Sequence, residues 1–317
     1  MTSSGVKTFD PTLSTLISMA YQEAGIISIM ETPSDEQYIK GRNKLNLMLS
    51  EWMKAGHKVW TWEEGILFLQ KDQRRYNLGS SSTHHFTDAY DFDSTTLSAA
   101  AASGATTITV TAAGNIAASD YLGIELDSGA FQFTTVSSIA STTVTPAAAL
   151  TGAAASGNRV IAYTTKLIRP LKISSARHFN YSTEDEIRVQ ELSHIDFMEQ
   201  PNKTNTASPF SQWRYQPKVP LGLFEVWLTP SNVDYGVRFT YQRPIYDFTE
   251  NAQTVDAPIE WGNAIVFGLA AELIPSGDVP KDRAEIIMAM ATQKLALVSG
   301  ADREQGSFLI QPDMEDY

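Results

Sequence analysis

The side chains able to do chemistry are few and scattered. Five histidines are present. His84 and His85 are adjacent in a Ser/Thr-rich stretch before Phe86. Neighbouring side chains of an extended chain point to opposite faces, so this pair makes poor co-ligands for one metal ion, and no third ligand follows at metal spacing. The stretch reads as a solvent-exposed loop. His57 follows Gly56 at the end of a helical pattern, where a cation meets the negative end of the helix dipole. His178 stands alone, and the single alternation of His194 with Asp196 around Ile195 is too little to define a catalytic pair. Glu184, Asp185 and Glu186 supply carboxylates, but a glycosidase needs two of them at a set separation in space. The run Thr183-Glu-Asp-Glu reads as a solvated turn. Asp91, Asp93 and Asp120 suggest calcium by residue type, yet the glycine and distal glutamate of an EF-hand loop are missing.

No Gly-x-Ser-x-Gly, His-Glu-x-x-His, Walker A or dinucleotide fingerprint occurs. With 0 cysteines, disulfides and thiolate metal sites are excluded, which suits assembly in a reducing cytoplasm. The expectation is a non-enzymatic protein with no catalytic residue, metal or cofactor. The formal net charge is −12. Apart from Arg74-Arg75 there is no cationic cluster of the kind that grips phosphates. An acidic wall can still surround a duplex and let it slide. No apolar run reaches the ~18 residues of a membrane span. The stretch from Ile286 to Val298 is broken by Thr292, Gln293 and Lys294, and the first residues lack the apolar core of a signal peptide.

The elements that would position any site begin with two amphipathic helices. Leu13, Leu16, Ile17, Ala20 and Ala24 recur on one helical face, with Asp10-Pro11 as N-cap and first-turn proline and Gly25 as the stop. Ser34 and Gln37 form a capping-box pattern for a second helix. Its stripe is Tyr38, Arg42, Leu45, Leu49, Trp52 and Met53, and Gly56 is its expected C-cap. From Lys58 the pattern turns to strands, through Trp60, Trp62, Ile66, Phe68 and Tyr76.

Residues 94–158 are rich in Ala, Ser, Thr and Gly, with Asp120, Glu125 and Asp127 their only charges. Low complexity can mean disorder. Here Thr107-Ile-Thr-Val-Thr, Tyr121-Leu-Gly-Ile-Glu-Leu, Phe131-Gln-Phe-Thr-Thr-Val and Val160-Ile-Ala-Tyr read as short strands separated by turns, so a small β domain inserted at a surface loop is expected. Further strands are expected at Leu167-Ile-Arg-Pro-Leu-Lys-Ile, Phe179-Asn-Tyr, Trp213-Arg-Tyr, Leu223–Leu228 and Tyr235–Tyr241. The last two should form a hairpin across Pro230-Ser-Asn-Val-Asp. A short helix is expected over Ser193–Glu199 and a loop over Pro201–Pro209. Pro258 then sits at the first position of a helix carrying Trp261, Ile265, Leu269 and Leu273 as far as Pro275. A last helix from Asp278 carries Ala284, Ile287, Ala291, Leu295 and Val298 on one face. Beyond Gly300 the chain is polar and acidic, apart from the apolar island Phe308-Leu309-Ile310.

The expected fold class is α+β: N- and C-terminal helices packed as an α-helical bundle, a β-rich body, and an inserted small β-sandwich or barrel domain. Residues 1–87 with 166–300 would form the core, 88–165 the insertion, and 301–317 an extended C-terminal tail.

Two segments carry a resemblance. The helix pair from Leu13 to Gly56 ends in Leu49-Ser-Glu-Trp-Met-Lys-Ala-Gly-His, which resembles the helical opening of phage head-to-tail adaptors, with its Trp-x-x-x-Gly segment. Tyr241-Gln-Arg-Pro-Ile-Tyr-Asp-Phe, followed by Val255-Asp-Ala-Pro-Ile-Glu-Trp-Gly-Asn-Ala-Ile, is similar to the tail tubular protein A or adaptor family of short-tailed (podovirus) bacteriophages. There a strand ending in an Arg-Pro step precedes Pro-x-Glu-Trp at a helix start. The resemblance covers residues 10–75 and 166–300 and leaves the insertion aside. It implies a homo-oligomeric, dodecameric ring at the head–tail junction of a virion, beneath the portal protein and above the tail nozzle protein. Such a ring extends the channel for double-stranded DNA without binding it specifically, and it involves no membrane. It further implies that the C-terminal tail reaches a neighbouring portal or adaptor subunit, and the apolar island in that tail makes Phe308, Leu309 and Ile310 the expected partner-binding residues. A receptor- or glycan-binding tail protein and a cell-wall hydrolase are the alternatives.

Overall fold

The computed structural model describes residues 11–54 and 59–301. Among them the α-helices are α1 (Leu13–Ala24), α2 (Asp35–Lys54), α3 (His194–Glu199), α4 (Gly262–Leu273) and α5 (Lys281–Ala301). The strands are β1 (Trp62–Phe68), β2 (Arg75–Leu78), β3 (Phe86–Asp88), β4 (Asp93–Thr96), β5 (Ile108–Thr109), β6 (Tyr121–Glu125), β7 (Phe131–Ala140), β8 (Thr143–Pro146), β9 (Arg159–Tyr163), β10 (Lys172–Asn180), β11 (Glu186–Glu191), β12 (Gln212–Gln216), β13 (Gly222–Trp227) and β14 (Tyr235–Gln242). The fold is mixed α+β with a sheet-rich body. It divides into two compact units, one from residues 1–61 and 245–317, the other from residues 62–244.

In the first unit α1 buries Leu13, Leu16, Ile17, Ala20 and Ala24, the expected face, with Tyr21 beside them. Gly25 ends the helix at φ +74°, a backbone conformation that costs a side chain-bearing residue energy. The N-terminus differs from expectation. Thr12 is the cap residue and makes no side-chain cap bond. The free helix N–H groups are met from elsewhere, Leu13 N donating to Gln253 O at 2.8 Å and Ser14 N to Asn251 O at 3.0 Å. The capping box of α2 forms as read: Ser34 N donates to Gln37 Oε1 at 2.8 Å, and Gln37 N to Ser34 Oγ at 3.4 Å. The Gly56 cap lies outside the described residues.

Helix α4 is apolar on nearly every side, burying Ala264, Ile265, Val266, Leu269, Ala270 and Leu273. A helix of that kind must be covered all round, and α4 touches α1, α2 and α5. Gly268 permits the approach to α2, since a Cβ there would come within 2.9 Å of Met48 Sδ and of the Trp52 ring. Pro258 does not open α4 itself. It precedes a 3-10 turn, Ile259–Trp261, and α4 begins at Gly262. Helix α5 buries Ala284 and Ile287 on its expected face and runs past Gly300 to Ala301.

The second unit holds two curled sheets. The larger has the order β2-β13-β12-β11-β10-β14-β1-β3 and wraps a core that includes Tyr76, Phe86, Trp213, Phe224 and Phe239. The smaller, β4-β9-β6-β7-β8-β5, is built from the Ala/Ser/Thr-rich segment. Its inward side chains, among them Leu97, Leu122, Ile124, Val144 and Val160, form a core of their own. Its edges meet through the Leu97↔Val110 bridge, with Ser98 N donating to Thr109 O at 2.9 Å and Thr111 N to Thr96 O at 2.8 Å. Closure satisfies the edge N–H and C=O groups that a low-charge sheet would otherwise offer to other chains.

Three expectations for this unit are corrected. β13 and β14 do not form a hairpin: β13 pairs with β12 and β2, and β14 with β1 and β10. The connection between them is held instead by other loops, Asp72 N donating to Pro230 O at 2.8 Å and Ala207 N to Thr229 O at 2.9 Å. Alternation fixes which face of a strand is buried, not which strand lies beside it. The segment Leu167–Pro170 is not a strand, and β10 starts only at Lys172. Glu186 belongs to β11, a strand absent from the sequence reading because Val189 is its one buried side chain.

Candidate functional site

The residues singled out for chemistry do not converge. Asn77 N donates to His84 Nδ1 at 2.9 Å, tying that ring to β2. His85 stacks flat on Phe133, with centroids 3.7 Å apart and planes within 5°, and its Nδ1 lies 2.6 Å from Tyr163 Oη. The pair is therefore packed structure rather than the solvent-exposed loop expected. Burial, reinforced by the Lys166 ammonium and by His84, pushes the His85 imidazole down to about 3. Burial and Lys166 also lower His84. His178 is buried against Phe210 and lowered by desolvation. His57 lies outside the described residues.

His194 and Asp196 serve different partners. Arg214 Nη1 lies 2.5 Å and Gln216 Nε2 3.0 Å from His194 Nδ1. Both partners are donors, so Nδ1 accepts and the ring proton sits on Nε2. Asp196 instead takes the Ser193 hydroxyl at 2.6 Å, while its N–H donates back to Ser193 Oγ at 3.2 Å, closing the N-cap of α3. Glu184 occupies a turn at φ +58°. Asp93 and Asp120 accept backbone N–H groups from Asn115 and Ala117. Among the described residues, no three His, Cys, Asp or Glu side chains are grouped to hold a metal ion.

Two ionic networks went unread in the sequence. Glu225 on β13 is fully buried. Arg214 Nε donates to its Oε2 at 2.6 Å with Nη2 beside it, and Arg75 Nε donates to Oε1 at 2.8 Å. Arg74 Nη2 stands 3.9 Å away. The guanidinium of Arg214 also lies 4.4 Å above the Phe197 ring, which pins α3. Burial alone would raise the Glu225 carboxyl, but hydrogen bonds and charge from Arg75 and Arg214 outweigh it and hold it below the usual carboxylate range. Elsewhere, Glu64 receives Arg177 Nη2 at 2.7 Å and the Tyr90 hydroxyl at 2.5 Å, and Glu186 takes Arg177 and Arg238. Burial alone would raise Glu64 as well, but these donors hold it below the usual carboxylate range, and each of the three carboxylates ties strands together through its arginine partners. A charged residue flanked by apolar ones, as in Phe224-Glu225-Val226, is the only signal in sequence that could have found Glu225.

The first unit shows a different character. Trp52 of α2 and Trp261, just ahead of α4, meet with ring centroids 6.0 Å apart, and Trp60 lies edge-on to Trp261 at 4.7 Å. Buried aromatic contacts of this kind add to the area they cover. The outer faces of the helices keep apolar side chains in solvent. On α2, Ile39 and Leu47 lie two turns apart and are 51% and 69% exposed. On α5, Ile286 and Leu297 lie three turns apart and are 60% and 61% exposed. These side chains are isolated from one another along their helices and leave some apolar surface there. Phe308, Leu309 and Ile310 lie outside the described residues. No helix among the described residues is long and apolar enough to cross a membrane. No protein-family model matches the chain, and a search of curated proteins finds no match.

Proposed function

We propose that this chain is a structural ring subunit, the head-to-tail adaptor of a short-tailed bacteriophage. The observation that carries the reading is the contact between Trp52 and Trp261. They belong to two of the short segments that carry the resemblance, Leu49–His57 and Val255–Ile265, which are far apart in the chain. The exposed apolar side chains on α2 and α5 are compatible with it, because a ring subunit must present faces that its neighbours cover. In this reading the terminal helices act as an α-helical bundle that packs subunit to subunit, and the smaller sheet is an inserted barrel. Twelve copies enclose a channel under the portal protein and seat the tail nozzle protein. The net charge of −12 keeps the wall from gripping the DNA that passes.

The same charge opposes self-association of the free subunit, so the ring should close on a portal template. Negative-stain microscopy of the purified protein, alone and with assembled portal, tests this. Closed rings seated on portal are expected, with monomers or weak oligomers in the protein alone. A protein that neither binds assembled portal nor forms rings in its presence sinks the reading, and stable closed rings without portal remove the templating step.

A further inference from the structure

We infer that the loop between α1 and α2 is a preformed apolar knob for a different protein of the assembly, one whose apolar socket is rimmed by lysine or arginine. This rests on the ring reading above. Ile29 and Met30 stand 82% and 93% exposed at the tip of the loop. Single exposed apolar side chains are ordinary. These two are set apart by the scaffold beneath them.

Glu31 N donates to Ser28 O at 3.0 Å, closing a turn around the two residues, and Ser28 N donates to Glu31 Oε2 at 3.0 Å. The Gln22 amide donates from Nε2 to both Ile29 O and Glu31 O at 3.3 Å. At the base, Arg283 of α5 donates from Nη2 to Gln22 O at 3.3 Å and Glu23 O at 3.1 Å. The backbone of the tip is thus held by its own turn and by Gln22 of α1, whose last turn Arg283 grips in its own right. Its ordering cost is met in the free subunit, which favours association. A groove of about 620 Å³ lined by Gln22, Glu23, Ile26, Ile27 and Arg283 runs beside the knob.

Charge selects the partner. Glu23, Glu31, Asp35 and Glu36 flank the knob in the chain and all are exposed. Of the nearby cations, Arg283 is engaged with backbone carbonyls, Lys281 stands 3.8 Å from Glu285, and Lys40 is exposed one turn along α2 from Glu36, which leaves the acidic side chains in excess. A second copy offers no basic rim, since its one cationic cluster, Arg74-Arg75, is held by Glu225, whereas a partner with such a rim is attracted.

The test measures binding of the full chain to assembled portal and to nozzle protein. Ile29→Ser combined with Met30→Ser should weaken binding to one of them by at least about tenfold, with the thermal transition unchanged. Glu36→Lys should slow that same association and flatten its salt dependence. In the cysteine-free chain, the thiol introduced by Met30→Cys should be protected from maleimide in the complex. Wild-type affinity of the double variant for both partners, or equal labelling free and bound, overturns the knob. So does a loss of self-association alone, which would assign the surface to a second copy. If the wild-type chain binds neither partner, it is the adaptor reading that fails.

Discussion

The side-chain amide of Gln70 grips the backbone of Phe131 at both of its polar atoms: Nε2 donates to the carbonyl at 2.9 Å, and Oε1 accepts from the N–H at 3.0 Å. Gln70 follows β1 of the larger sheet and Phe131 opens β7 of the smaller one. Around this clamp Phe68, Tyr163, Phe179 and Tyr181 share a buried cluster with Phe131, and Lys71 Nζ donates to Ser128 O at 2.9 Å. The inserted sheet is therefore docked on the body over an apolar seam. Gln70→Ala leaves two backbone groups of Phe131 without partners in a largely buried place, at a cost of about 1–3 kcal/mol. Urea unfolding together with hydrogen exchange at the Phe131 amide measures it. Unchanged stability and unchanged exchange would show that the seam does not depend on the clamp.

Glu225 balances the guanidinium groups around it while fully buried. Glu225→Gln keeps the shape, removes the charge and leaves Arg214 buried without a counter-ion. Breaking a buried pair in this way costs about 3–5 kcal/mol. The loss should appear in the transition of the second unit, with α3 loosened first because Phe197 rests under Arg214. A loss below about 1 kcal/mol in equilibrium unfolding would mean that the site rearranges to admit water.

Acid should destabilise the second unit through its buried histidines. The imidazoles of His84, His85 and His178 are all lowered in the fold, His85 to about 3. Unfolded histidine titrates near 6.5, so between these values the unfolded chain binds more protons than the folded one. Stability is then complete above about pH 6.5 and falls as pH drops toward 3. His85→Phe preserves a stack on Phe133 and removes one titrating group, so its stability should depend less steeply on pH over that window. Denaturant midpoints between pH 4 and 8 decide the matter, and identical slopes for the two proteins would remove His85 from the account.

Within the adaptor reading, the segment carrying Phe308, Leu309 and Ile310 anchors the subunit to a neighbour. Removing residues 302–317 retains every residue of α1, α2, α4 and α5. Burial of three such side chains contributes on the order of 1.5–3 kcal/mol each before ordering costs, so the shortened protein should bind assembled portal at least about tenfold more weakly. Sedimentation with labelled portal reads this directly. Full affinity in the folded, shortened chain would strike the segment from the assembly.

The sequence by itself determined the local elements. Helical period and the Ser34/Gln37 box placed α1 and α2, and alternation at Tyr121–Glu125 and Phe131–Val136 identified strands inside a segment whose composition suggests disorder. These signals are local, since each residue's burial follows from neighbours two to four positions away. What only the tertiary structure decided is partnership. The periodicity of β13 and β14 names a buried face, while three other strands separate them in the sheet. His84 and His85 read as a loop because nothing near them in sequence announces Phe133 or Tyr163. Glu225 went unread because Arg75 and Arg214 approach it from β2 and β12, far from it in sequence. Buried charge is tolerated only where partners converge in space, and convergence is set by strand order, which the period of a single strand does not encode.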